Sequence, residues 1–99
     1  MDSTLAGIVD ALKAVEKQAR DTALAKARTH REPVPLADQP HLLGALAAAV
    51  EALRDVAGTF PDRMHTPDGR TALRTATERL GVAAGVLRDA ERHAAAGGI

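Results

Sequence analysis

The sequence predicts an all-α protein, an elongated, antiparallel up-down-up three-helix bundle that dimerises. Three observations lead there. Apolar residues recur at alternating steps of three and four in three separate stretches, the spacing that keeps them on one side of a helix. Prolines stand between those stretches or in a helix's first turn, and no proline or glycine falls on the apolar rows themselves. Alanine, the best helix former because fixing it costs no rotamer entropy, supplies 22 of the 99 residues.

The first helix is expected over 3–31. Asp2 or Ser3 offers an N-cap oxygen, and Leu5, Ile8, Leu12, Val15 and Ala19 form the stripe, widened by Val9. Beyond Ala19 the large residues nearly stop; Ala23 and Ala27 continue the row and Leu24 sits to one side. Pro33 disfavours helical geometry at Glu32, which ends the helix. Residues 31–38, REPVPLAD, then read as a stiff connector anchored by Val34 and Leu36.

The second helix, 39–58, organises the chain. Asp38 is its expected N-cap and Pro40 sits in the first turn, where a missing amide costs nothing. One row runs through Leu42, Leu46, Ala49, Leu53, Val56 and Phe60, and a second through Leu43, Ala47, Val50 and Ala57. Two adjacent rows make a stripe wide enough for two neighbours, hence the middle helix of a bundle. Gly58 stops the helix and Pro61 prevents continuation.

The third helix is expected over 67–96, with Thr66 as N-cap, Pro67 at the first position and Asp68 facing the positive end of the dipole. Leu73, Ala76, Leu80, Ala83, Leu87, Ala90 and Ala94 make an unbroken seam, with Val82 and Val86 as a shorter second row. Gly81 and Gly85 each cost about 1 kcal/mol relative to Ala inside a helix, which predicts a close helix crossing. Gly97 and Gly98 end the chain's last helix. At ~1.5 Å per residue the three helices measure about 42, 30 and 43 Å, so the outer two outreach the middle one. All 99 residues are read as one domain.

Composition narrows the function classes. With 13 basic and 13 acidic residues the formal charge is zero, which does not indicate a globally basic nucleic-acid binder. There is no cysteine, so no disulfide, thiol nucleophile or Cys-ligated metal site. Asp10 and Lys13 interrupt any apolar leader, and no run approaches the ~18 apolar residues of a membrane span, so a cytoplasmic protein is expected. Ten Arg against three Lys, with much Ala and Gly, points to a GC-rich bacterial genome. The Trp-x-Gly turn of the WXG100 family of small helical hairpins is not matched, since the chain has no Trp and its turn reads TFPDRMHTPDG.

Chemistry-bearing groups are sparse. His30, His41, His65 and His93 sit at expected helix ends or in the 59–66 loop, and no two share the i, i+4 spacing of a helical metal site. Asp89 and His93 have that spacing but need a third ligand. Thr59, Asp62, His65 and Thr66 cluster in the loop, which makes it the candidate for a small-molecule or metal binder. The acids lie on polar faces, many with a basic residue three or four positions away. Lys13, Lys17, Arg20, Arg28 and Arg31 line one side of the first helix, an arrangement able to follow a phosphate backbone, which makes a small regulatory nucleic-acid binder the second reading.

The leading expectation is a non-enzymatic interaction module, a homodimer or the partner of another helical protein, with no catalytic residue, cofactor or metal. It rests on a thin Ala/Leu core with one Phe, on unmatched helix lengths and on the seam of the third helix. The expected interface residues are Leu24, Leu73, Leu80, Val82, Val86 and Leu87.

Overall fold

The computed structural model describes residues 1–97 and is helical throughout, with no strand among those residues. The chain divides into two compact units, Met1–Pro33 and Val34–Ile99.

The first unit is a single run of helix in three pieces: α1 (Ser3–Gln18), a π segment (Ala19–Leu24) and α2 (Ala25–Thr29). Asp2 is the N-cap, its carboxylate accepting the Leu5 amide at 3.0 Å. The helix closes at Thr29, two residues short of the expected end, where the hydroxyl of Thr29 donates to the Lys26 carbonyl at 2.9 Å. The π segment is a departure from the predicted uniform helix. It contains Asp21 and Thr22, both weak helix formers. In a π turn the stacking interval is five residues instead of four. Leu24 therefore lies over Ala19, and the row becomes Leu5, Ile8, Leu12, Val15, Ala19, Leu24. The expected displacement of Leu24 to one side is corrected by this single widened turn.

The second unit is a helical hairpin of α3 (Gln39–Gly58) and α4 (Pro67–Ala95), joined by a tight 3-10 turn at Pro61–Arg63. Its entry differs from expectation. Asp38 makes no side-chain capping bond; instead the Pro35 carbonyl accepts the amides of Asp38 and Gln39, and the Gln39 side chain donates to the Val34 carbonyl at 3.3 Å. Pro40 lies in the first turn as its missing amide allows. At the other end Gly58 is the last helical residue, and the Thr59 hydroxyl donates to the Val56 carbonyl at 2.8 Å. Thr66 caps α4, accepting the Gly69 amide at 3.1 Å, with Pro67 and Asp68 in the first turn. α4 ends at Ala95, and Gly97 takes the left-handed backbone at φ +87. Gly98, the other expected terminator, lies outside the described residues.

The hairpin is antiparallel. Gly44 faces Glu91, Glu51 faces Arg88, Arg54 faces Gly81 and Gly58 faces Thr77, so one partner's number falls as the other's rises. On α3 the row against α4 is Leu43, Ala47, Val50, Arg54 and Ala57, with Ala47 fully buried. On α4 it is Leu73, Thr77, Leu80, Ala84, Leu87 and Glu91, with Ala84 2% exposed. Both rows step by four and three, yet the α4 row is not the one the apolar pattern selects. Ala76 and Ala83 of the expected seam are exposed. Thr77, Ala84 and Glu91 stand where Ala76, Ala83 and Ala90 were expected, and the polar atoms of Thr77 and Glu91 are satisfied nearby. The Thr77 hydroxyl donates to the Leu73 carbonyl at 2.8 Å, and Glu91 accepts from Arg88 at 2.9 Å. A close crossing does not explain the two glycines: a methyl group on Gly81 would meet the aliphatic stem of Arg54 at ordinary van der Waals distance, and one on Gly85 would enter open space. At Gly44 a Cβ would overlap the Glu91 carboxylate.

Arg88 ties the helices together on one edge. Its guanidinium is bidentate to Glu51, at 2.6 and 3.0 Å, and reaches Glu91 at 2.9 Å. The hydrogen bond from Arg88 is the main reason the Glu51 carboxyl sits below its ordinary value of 4.5. A depressed carboxyl pKa contributes stability above the unfolded value and loses it as pH falls through the folded one. We therefore expect wild type to lose stability on acidification below about pH 4.5, and Glu51→Gln to flatten that limb, as read by thermal melts from pH 7 to pH 3. Replacing Gly85, which has no neighbour, by Ala should stabilise the helix by about 0.5–1 kcal/mol and raise the melting temperature.

Candidate functional site

The side chains with most to give to a partner are apolar, and helix geometry sorts them into faces. On the hairpin, Leu42, Leu46 and Leu53 each stand one residue before a member of the α3 seam. Ala76, Ala83 and Ala90 each stand one residue before a member of the α4 seam. One residue is about 100° of helix rotation, and antiparallel helices count in opposite senses. The two flanks therefore lie on the same side of the hairpin. Leu42 and Leu46 are about half exposed, at 50% and 47%. Glu51 and Arg88 stand one residue after their seams, which puts the ion pair on the opposite side. The hairpin thus has an apolar side rich in leucine and alanine and a polar side closed by Arg88.

A third face lies on the back of α4. Val82 and Val86 are 69% and 62% exposed there, more than any other large apolar side chain within α1, α3 or α4. Of the six expected interface residues, Leu73, Leu80 and Leu87 are half-buried against α3, Val82 and Val86 are exposed, and Leu24 is exposed at the end of the π segment. Sequence spacing grouped them as one seam; the hairpin separates the three leucines from the two valines by about half a turn.

In the first unit the stripe of Leu5, Leu12, Val15 and Leu24 is exposed. The basic residues of the second reading are exposed too. Lys13 and Lys17 lie on α1, Arg20 in the π segment, Arg28 on α2 and Arg31 past its end. Arg20 is held by Glu16 at 3.0 Å. The five-residue π interval turns Arg28 out of the straight line that uniform α spacing predicts for it with Lys13 and Lys17.

The 59–66 loop uses its polar groups to hold itself. Arg63 donates twice to the Thr59 carbonyl and lies over the Phe60 ring, 4.7 Å from its centre. Asp62 pairs with Arg74 at 2.7 Å, Thr66 is committed to the α4 cap, and Arg70 donates to the Met64 carbonyl at 3.2 Å. Pro61 is buried and His65 exposed. His30, His41 and His93 are also exposed, and His30 faces Glu32 at 3.9 Å. Among the described residues no three His, Asp or Glu side chains are placed to hold a metal ion. No helix is long and apolar enough to cross a membrane.

Because the loop's acid and hydroxyls already have protein partners, Zn²⁺, Ni²⁺ and Mn²⁺ should leave the melting temperature unchanged; a rise with any of them would reveal a site. Comparison of the chain with protein-family models, with curated proteins and with solved structures finds no significant match to any of them.

Proposed function

We propose that this protein is a non-enzymatic helical interaction module that works as a homodimer, each protomer a single three-helix bundle. The observation that carries the reading is the placement of its large apolar side chains. Leu5, Leu12, Val15, Leu42, Leu46, Val82 and Val86 are exposed on the helices, while the buried apolar residues of α3 and α4 are two alanines, Ala47 and Ala84. Burial of apolar area is the main favourable term in folding and association, at about 25 cal/mol per Å². A chain that leaves leucine and valine rows at its surface has that term still to gain.

The leucine side of the hairpin and the stripe of α1 match in kind. Both are rows at steps of three and four, flanked by alanines that let backbones approach. Helices with this 3.5-residue spacing pack near +20°. The back of α4 stays available to a second molecule, with Val82 and Val86 at its centre.

The test is the solution mass by light scattering on a sizing column, across protein concentration and at low and high salt. A homodimer gives a mass near twice the 10.3 kDa of one chain. The dimer should persist at high salt, because apolar burial is not screened as surface charge is. A mass of one chain at every concentration overturns the homodimer.

A further inference from the structure

On the back of α4 the residues around the two valines repeat in a symmetric order. Thr75, Arg79, Val82, Val86, Asp89 and His93 step by four, three, four, three and four, so they form one straight row. By helix angle that row lies about half a turn from the seam packed on α3, and its Val86, Asp89 and His93 edge a hollow that Gln39 and Leu43 of α3 also line. The row's members are placed evenly about the level of Ala84: Val82 and Val86 two residues to either side, Arg79 and Asp89 five, Thr75 and His93 nine. The apolar pair is therefore its own mirror under an end-to-end reversal, and the charged pair reverses sign.

Resting on the homodimer reading, we propose that two copies of α4 pack back to back and antiparallel about a two-fold axis at the level of Ala84. Val82 of each protomer meets the partner's Val86, and Arg79 of each meets the partner's Asp89. A two-fold contact must be self-complementary, each patch meeting its own copy. A row with valines at the centre and opposite charges at equal distances satisfies that requirement in the antiparallel direction. In the parallel direction Arg79 would face Arg79 and Asp89 would face Asp89. Several features fit this second copy as the occupant. The valines are the most exposed large apolar residues of the hairpin's helices. Arg79 is exposed and makes no ion pair among the described residues. Asp89 is held in place by Arg92 one turn on, with its carboxylate still largely exposed.

The arrangement has a test that does not depend on a variant failing to fold. In a homodimer of Arg79→Asp, each introduced carboxylate would face the partner's Asp89. In a homodimer of Asp89→Arg, each introduced guanidinium would face the partner's Arg79. Each variant alone should dimerise about tenfold or more weakly than wild type. When the two variants are mixed, the hetero-pair sets the introduced carboxylate against the introduced guanidinium on one side of the axis. On the other side it keeps the original pairing of Arg79 with Asp89. Dimers should therefore return at wild-type concentrations. Sedimentation velocity of each variant and of the mixture reads this, with circular dichroism verifying helix content. If wild type dimerises but the single variants dimerise equally well, or the mixture stays monomeric, the antiparallel α4 contact is wrong while the homodimer stands. A wild type that is monomeric throughout overturns both.

Discussion

The close approach of α3 and α4 through small side chains shapes the rest of this protein. At the centre of the hairpin the buried residues are Ala47 and Ala84, and Gly44 leaves room for the Glu91 carboxylate of the opposing helix. The contact line also carries half-buried Leu43, Val50, Leu73, Leu80 and Leu87, and long polar residues share it. Arg54 lays its stem on Gly81, and Arg88 spans to Glu51, keeping the charged heads toward water. Leu42, Leu46 and Leu53 stand on the flank. A contact built this way is specific in register, through the two-toothed Arg88–Glu51 pair, but it removes little apolar area from water.

This also decides what was legible in the sequence. Helix limits were readable wherever a residue has only one sensible position. Pro67 and Thr66 start α4, Pro40 starts α3, and Gly58 and Gly97 end their helices. Asp38 does hold the N-cap position, but its side chain makes no capping bond, and the Pro35 carbonyl accepts its amide and that of Gln39. The faces were harder. Counting apolar residues along the last helix selects Leu73, Ala76, Leu80, Ala83, but alanine is nearly neutral about where it sits. Thr77 and Glu91 stand on the buried edge, and their polar atoms find partners within a turn. No apolar count sees that. The π segment was out of reach for a different reason. Asp21 and Thr22 weaken a helix but do not specify a widened turn, and the signal was the misplaced Leu24, one residue too late for the row it belongs to.

The candidate surface divides along the same line. The six residues expected at an interface all lie in apolar rows, and spacing found those rows. It could not tell the leucines packed against α3 from the valines left over, because Leu73, Leu80 and Leu87 differ from Val82 and Val86 by about half a turn of one helix. Only the position of α3 distinguishes them. The basic residues of the first unit show the same dependence. Their alignment assumes uniform α geometry, and one widened turn shifts everything after it.

The faces that remain open are suited to different tasks. The leucine side of the hairpin is broad, with Leu42, Leu46 and Leu53 along it and alanines beside them. Such a surface accepts any apolar helix of the right length and says little about direction. The back of α4 is narrow. Two valines alone supply a small area, and exposed ion pairs add only about 0.2–1 kcal/mol each. What that face has is a preference: charges at equal distances and of opposite sign favour one orientation of a second copy and penalise the other. Affinity and direction need not come from the same residues. In a chain whose composition is a fifth alanine, separating them lets a small apolar contact remain specific, because the wrong arrangement is opposed by like charges instead of being outcompeted by a larger interface.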